Sequence, residues 1–328
     1  MHFNTGLFFC IISIISYSFY MISLKPSKHR MLTFFWINTI SYFGYVTIFF
    51  IRKLHFEHDV KALEQLLFTF TFTNVPLYIL IACMFVISIA HLNYLMDHFE
   101  VSLITPVIEM SILFITLGYI ALGNSSSSLV LASVFIIFIG AIISSMETFS
   151  FAQPFKDIKK ISQKLLASGV LQAFLESSVM LITFLCTHRT TVTEGIIAWL
   201  DSVFKNVYDV PFSFHHPFYY TVGVRFFITI IFLLYLLIYQ KHRLEILTHP
   251  FYNAREIITI SAVFLIAIVS YQTAYQNIAD KNILIALRKL TIPTILFISY
   301  YTLGEKITHP KIIGCSIIVC GGMLTLFA

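Results

Sequence analysis

The chain contains ten long apolar runs, and these runs limit the folds that are open to it. A hydrocarbon core about 30 Å thick is crossed by roughly 20 residues of α-helix, which satisfies its backbone hydrogen bonds internally. The composition agrees, because 11% of the residues are charged, whereas soluble domains carry about 25%. We therefore predict an all-α membrane protein with ten transmembrane helices. The predicted spans are residues 5–24, 31–51, 75–96, 101–122, 129–145, 165–186, 219–240, 257–278, 283–303 and 310–326.

A helical hairpin near the C-terminus, residues 283–326, has a weaker copy at residues 101–145. In the later copy, Gly304 suits the left-handed residue that ends a helix, Thr308 can cap the next helix, and Pro310 fits its first turn. Two copies of one hairpin indicate a duplicated membrane protein. The matching segments are ILFIT at 112–116 with ILFIS at 295–299, and LGN at 122–124 with LGE at 303–305.

The duplication divides the ten spans into two sets of five, with repeats at residues 1–150 and 151–328. An odd number of spans in each copy makes the second copy enter the membrane in the opposite orientation. We therefore predict two inverted five-helix repeats in which the fourth and ninth spans are symmetry mates.

Three connections are longer than turns. Residues 52–74 are predicted to be partly embedded in the membrane, and the lysine-rich residues 146–164 form the boundary between the repeats. Residues 191–208 have the amphipathic pattern of a helix that lies on the membrane surface as a linker.

The hairpin sequence LGEKITHPKIIG, followed by a Gly-Gly pair, resembles the ten-span EamA-type branch of the drug/metabolite transporter superfamily. The degenerate copy around Thr105-Pro106 carries the same resemblance. It implies a permease for amino acids and related metabolites, with cytoplasmic termini. The chain departs from the family pattern at Asn124, where the usual residue is acidic, and in its long connection between the sixth and seventh spans.

Six predicted spans carry polar side chains three or four positions apart, so that each set shares one helical face. Because a polar face toward lipid is costly, these faces predict a polar central cavity, with interhelical hydrogen bonding as the alternative. The candidate residues for substrate binding or coupling are Glu109, Glu176, Arg288, Thr105, Gln172, Gln272, Gln276, Asn38, Tyr17 and Tyr42.

Glu109 and Glu176 are the leading candidates, since each lies roughly 12 to 16 Å inside its span at 1.5 Å per residue. An ionised group there costs about 2.5–3.5 kcal/mol, and a protonated carboxyl can carry a proton. The alternative is a neutral, hydrogen-bonded structural acid. Arg288 shares a face with Thr291 and could pair with a solute or with either acid. Lys289, turned about 100° away, is predicted to extend to the headgroups.

Aromatic and small residues receive separate interpretations. Tyr17 and Tyr42 could stack on a planar or cationic ligand, with positions in an interfacial aromatic belt as the alternative. Small residues predict close packing of the fifth and tenth spans. These small residues are Ser133, Gly140, Ser144, Gly314 and Gly321.

The function predicted from these features is a secondary transporter that moves a small polar metabolite, such as an amino acid or related zwitterion, by alternating access. We expect no cofactor, no metal site and no enzymatic activity, because the five cysteines lack metal-ligand spacing and no catalytic constellation is evident. Expected partners are the solute, protons and the lipid bilayer, without nucleic acid, and a homodimer stays open. A membrane-embedded enzyme and a non-transporting receptor or assembly protein are the alternatives. The expected location is the plasma membrane or the bacterial inner membrane.

Loop charge predicts the orientation. Loops after odd-numbered predicted spans carry twelve Lys and Arg residues, and loops after even-numbered spans carry six. The positive-inside rule therefore places both termini outside the cytoplasm, whereas the family resemblance implies cytoplasmic termini. We expect a C-terminal alkaline phosphatase fusion to be active, because that enzyme folds only outside the cytoplasm. A fluorescent cytoplasmic fusion would contradict the charge count and favour the family orientation.

Overall fold

The computed structural model describes residues 2–26, 30–51, 75–146, 163–204, 217–239 and 253–327, together with 248 and 250. The predicted embedded segment at 52–74 lies outside these residues, as does most of the predicted boundary at 146–164. Within the described ranges the chain forms α-helices and no strand. The helices are α1 His2–Leu24, α2 Arg30–Phe50, α3 Val75–His98, α4 Val101–Glu109, α5 Ser111–Ala121, α6 Ser128–Ser144, α7 Gln163–Thr187, α8 Thr191–Phe204, α9 Pro217–Tyr239, α10 Ala254–Asn277, α11 Lys281–Arg288, α12 Thr291–Leu303 and α13 His309–Leu324.

In the part of the chain that the structure describes, nine helical segments are long and apolar enough to cross a membrane. Two of these segments are broken helices, each made of two shorter helices in succession: α4 with α5, and α11 with α12. Helix α6 is apolar but has 17 residues, just below the usual length of a span. The prediction of an all-α, multi-pass membrane protein is confirmed at this level. The predicted surface helix at 191–208 is helical in its first part, as α8.

The chain forms two compact units, and both predicted repeats contribute to each of them. Unit 1 comprises Met1–Lys28, Ala90–Ser178 and Ile266–Ala328. Unit 2 comprises His29–Ile89 and Val179–Leu265.

Unit 2 is built around the contact between α2 and α9. Arg225 of α9 donates to the side-chain oxygen of Asn38 at 2.6 Å, and the Asn38 amide donates to Thr229 at 3.2 Å. Rings of Phe85 and Phe264 lie 5.8 and 5.0 Å from the guanidinium carbon of Arg225. Amide and aromatic contacts thus hold a cation within an apolar helix pair.

Unit 1 contains the two broken helices, and proline explains one of the breaks. Pro293 has no N–H to donate to the carbonyl of Lys289, so the α-helical ladder cannot continue through that position. The backbone instead tightens, with the N–H of Leu290 bonded to the carbonyl of Leu287. A comparable tight turn at Met110 separates α4 from α5.

Carboxylates cap both broken helices at their N-termini. Glu305, in the loop after α12, accepts from the backbone N–H groups of Val101 and Ser102 at 2.9 and 3.0 Å, and so caps α4. Asp280 caps α11 by accepting from the backbone N–H of Asn282 at 2.8 Å. Asp280 also accepts from Asn124 at 3.2 Å, in the loop after α5. Each loop therefore reaches the N-terminus of the other broken helix.

At the ends of these helices one prediction is corrected and one is confirmed. The side chain of Thr308 accepts no capping hydrogen bond, although Thr308 does precede α13. Gly304 does end α12 in the left-handed conformation, with φ 67°.

Helices α6 and α13 approach so closely that side chains cannot fit between them. A Cβ atom on Gly140 would lie 2.8 Å from the carbonyl oxygen of Gly314, and one on Gly321 would lie 3.0 Å from that of Ser133. The predicted close packing of these two helices through small residues is confirmed.

We predict that Gly314→Ala destabilises the protein by about 1–3 kcal/mol. The new Cβ would lie 2.5 Å from the Gly140 oxygen and from the Ser144 nitrogen, and backbone atoms cannot move aside. Gly195→Ala is the matched control, because a Cβ there meets nothing within 4 Å and alanine favours the helix. Titration with sodium dodecyl sulfate in mixed micelles measures both free energies of unfolding. Equal stability of the two variants would contradict the close approach.

Candidate functional site

The predicted site residues fall into both units. Asn38 and Tyr42 belong to unit 2, where Asn38 holds Arg225 and the Tyr42 ring lies 6.3 Å from that of Phe226. The other eight belong to unit 1. The candidate site described below is therefore the charged cluster of unit 1, defined as Glu109, Glu176, Arg288 and Lys289.

A buried ion pair joins the two broken helices at their breaks. Lys289 donates to the carboxylate of Glu109, and its ammonium also lies 3.3 Å from the hydroxyl of Ser111. The side chains are 5% and 8% exposed, so water screens the pair little. Glu109 is the last residue of α4, and Lys289 follows the last residue of α11. The pair therefore fixes the position of one break against the other.

The prediction that Lys289 extends to the headgroups is wrong. It assumed that one helical period runs through residues 283–303, which turns Lys289 away from the face of Arg288. The structure interrupts that helix at Lys289 and Leu290, so angles counted from one side of the break do not hold on the other. The buried carboxylate of Glu109 then gives the ammonium an internal partner.

Arg288 lies against two aromatic rings. Its guanidinium carbon is 5.1 Å from the centre of the Tyr17 ring and 4.8 Å from that of Tyr271. All three side chains are partly exposed, in contrast to the buried Lys289. The rings attract the cation without neutralising it, since neither carries a formal charge.

Glu176 is the second acid of the cluster and is also partly exposed. Its electrostatic neighbours are Glu109, Lys289 and Arg288, with Gln172 one turn away on α7 as a hydrogen-bonding neighbour. Among the described residues Glu176 has no ion pair at contact distance. It therefore differs from Glu109, whose carboxylate is held by a lysine.

The remaining candidates of unit 1 lie on α4, α7 and α10, and Gln172 has a second neighbour besides Glu176. The Thr105 hydroxyl donates to the carbonyl of Val101 within α4 at 2.8 Å. Buried Gln172 contacts the ring nitrogen of His91 at 3.0 Å. Gln276 is exposed and Gln272 partly exposed, on α10.

Lys289 is the residue of the cluster that sequence reasoning misplaced. A signal was present, because Pro293 stands four residues after it and predicts a break at its carbonyl. Tyr271 is not among the predicted site residues, and its contact with Arg288 depends on packing that the sequence does not encode locally.

The four charges make the cluster neutral when all are ionised. A buried pair and two partly exposed groups of opposite charge can receive a solute that itself carries both charges. In the described ranges no group of three His, Cys, Asp or Glu side chains is arranged to hold a metal ion.

The fold and this cluster define a class of protein: a multi-pass α-helical membrane protein with a buried ion pair between its helices. The chain matches no model of a known protein family and no curated protein.

We predict that Lys289→Met lowers the free energy of unfolding by about 3–5 kcal/mol, because it leaves the Glu109 carboxylate buried without its partner. Adding Glu109→Gln to that variant removes the stranded charge, so the double variant should recover most of the loss. Lys306→Met, at an exposed position, is the control and should stay within about 0.5 kcal/mol of the parent. Unfolding in mixed micelles gives all the values. Additive losses in the double variant would contradict a coupled pair.

Proposed function

We propose that the protein is a secondary transporter of the EamA type, which carries a small zwitterionic metabolite by alternating access between two inverted five-span repeats. The observation that carries the proposal is the cluster of two acids and two bases in unit 1, of which three lie at the helix breaks and Glu176 lies on α7. Charged groups inside membrane helices commonly serve solute or ion pathways. Broken helices at such a site are typical of secondary transporters.

The ion pair supports an inverted repeat. Glu109 and Lys289 stand 180 residues apart in the sequence, each beside the break of its own helix. In the register that aligns Gly123 with Gly304, the repeat position of Glu109 is Leu290, directly after Lys289. Residues at or next to equivalent positions of two copies can touch only where they lie beside the axis that exchanges the copies. Their contact favours a pseudo-two-fold axis between the two breaks, which is the arrangement that two inverted copies require.

Reciprocal contacts between α6 and α13 support the same axis. The register that aligns Gly123 with Gly304 also aligns Ser133 with Gly314 and Gly140 with Gly321. The approach of Gly140 to Gly314 thereby becomes the approach of Gly321 to Ser133 when the copies are exchanged, and both approaches occur. Gly123 and Gly304 both have positive φ, 89° and 67°.

Helix α6, the predicted fifth span, is proposed to cross the membrane as well, which brings the number of spans to ten. Its 17 residues extend about 25 Å at 1.5 Å per residue, and it packs along α13, which is itself a candidate span. A helix slightly shorter than the core is accommodated by local thinning of the bilayer. With five spans in each repeat, the two repeats enter the membrane in opposite orientations.

Neutrality of the cluster favours a zwitterionic solute. A zwitterion adds no net charge to the site, so the loaded and empty carriers carry equal charge through the membrane interior. A solute with one uncompensated charge would leave that charge in a medium of low dielectric. The proposed location is the plasma membrane or the bacterial inner membrane.

We expect proteoliposomes that contain the purified protein to accumulate at least one radiolabelled zwitterion from a panel of alanine, serine, glutamine, phenylalanine and glycine betaine. If protons drive the transport, accumulation follows an imposed pH gradient, and Glu176→Gln abolishes that dependence while exchange of the solute across the membrane continues. Glu256→Gln, at an exposed carboxylate in the first turn of α10, is the control.

Failure of the whole panel in active, correctly folded preparations would favour a receptor or assembly protein over a carrier. Transport with unchanged pH dependence in Glu176→Gln would contradict proton coupling through this acid, and would leave the carrier itself standing.

A further inference from the structure

The four charges of the cluster differ in burial and in partners. Glu109, Arg288 and Lys289 lie at the helix breaks, and Glu176 lies within α7 as their electrostatic neighbour. Lys289 and Glu109 are buried and bonded to each other. Arg288 and Glu176 are partly exposed. Among the described residues, these two form no ion pair with each other at contact distance.

We infer that the cluster works as two pairs with separate tasks. Glu109 and Lys289 form a closed pair, which holds the broken helices together and does not bind solute. Glu176 and Arg288 form an open pair, in which the carboxylate binds the ammonium group of the solute and the guanidinium binds its carboxylate. The assignment of the open pair rests on the proposed function, and it identifies the residues that determine specificity.

Geometry favours a closed role for Glu109. Its carboxylate has lysine as a direct partner, and the same ammonium is within 3.3 Å of the Ser111 hydroxyl. A solute ammonium would have to displace Lys289, which would leave a buried cation without a partner. A solute carboxylate would have to displace Glu109 from Lys289, which would leave a buried carboxylate without a partner.

Arg288 is suited to the open role. The rings of Tyr17 and Tyr271 attract its cation and restrict its position, yet they add no negative charge that would compete with a carboxylate. A guanidinium offers several donors in one plane and pairs with a carboxylate through two of them. A side chain positioned beforehand loses less entropy when the solute arrives.

Glu176 complements Arg288 in charge and in accessibility. Its charged neighbours, taken over every helix that approaches it, are Glu109 on α4, Arg288 on α11 and Lys289 at the break, with Tyr17 on α1. The negative charge of Glu109 is already compensated by Lys289, so the carboxylate that can receive an incoming ammonium is that of Glu176. The solute class is therefore one with an amine and a carboxylate in a single small molecule.

The test measures binding to purified protein in detergent, so that it does not depend on transport. The probes are alanine, serine, glutamine and phenylalanine, each compared with its decarboxylated amine and with its deaminated acid. Stabilisation against heat at increasing probe concentration gives each Kd. We expect a zwitterion to bind the parent protein at least about 10-fold more tightly than either singly charged analogue.

The variants separate the two ends of the solute. Glu176→Gln should weaken the zwitterion about 10-fold or more while leaving the acid analogue unchanged, and Arg288→Gln should weaken the zwitterion while leaving the amine unchanged. Glu176→Asp and Arg288→Lys keep the charges and serve where the neutral variants fold poorly. Glu256→Gln and Arg255→Gln, both at exposed positions of α10, are matched controls.

The closed pair is tested by exchanging its charges. The double variant Glu109→Lys with Lys289→Glu should keep the preference for the zwitterion over both analogues, because the pair retains its charges in reverse order. Loss of that preference in a folded double variant would overturn the closed role. Equal binding of zwitterion, amine and acid by the parent, or no binding of any probe, would overturn the open role. Binding with this pattern but without uptake into proteoliposomes would support the assignment and contradict the carrier.

Discussion

A carboxylate and an ammonium in a membrane interior must compensate each other, and much of unit 1 depends on how Glu109 and Lys289 do so. In a medium of low dielectric, either charge alone would cost several kcal/mol. Their contact lies where both helices stop being regular, since Glu109 ends α4 and Lys289 follows α11. The break that admits the ion pair also places Arg288 against Tyr17 and Tyr271. The buried ion pair and the aromatic contacts of Arg288 thus lie at the same break.

The N-termini of the broken helices also contain polar groups that need partners. Backbone N–H groups at the start of a helix have no partner within it, and in this protein carboxylates from distant loops supply one. Glu305 caps α4, and Asp280 caps α11 while it receives Asn124 from the loop after α5. Asn124 donates its amide to Asp280, and an amide is suited to this position because its partner is an acid. Close packing of α6 against α13 then fixes the two loops that carry these contacts.

Several parts of the structure could be predicted from the sequence, because they depend on the type and spacing of nearby residues. Apolar runs gave the helices, and small residues gave the close approach of α6 and α13. Gly304 gave the end of α12. Prediction failed for Lys289 and Thr308, which both lie where a helix begins or ends. Helical periodicity does not carry across such a point, and the group that caps a helix can come from a distant loop, as Glu305 does for α4.

The amino-acid sequence by itself determined that this protein is helical and that its helices enter a membrane. Hydrogen bonds within each helix and the removal of apolar side chains from water need no distant partner. The sequence also supplied the charges that the membrane interior makes costly. The tertiary structure alone decided that Glu109 meets Lys289 and that Arg288 meets two tyrosines. Pro293 marks one of the breaks locally. The partner that each charge meets is set by the packing of helices against one another, which a local pattern of residues does not fix.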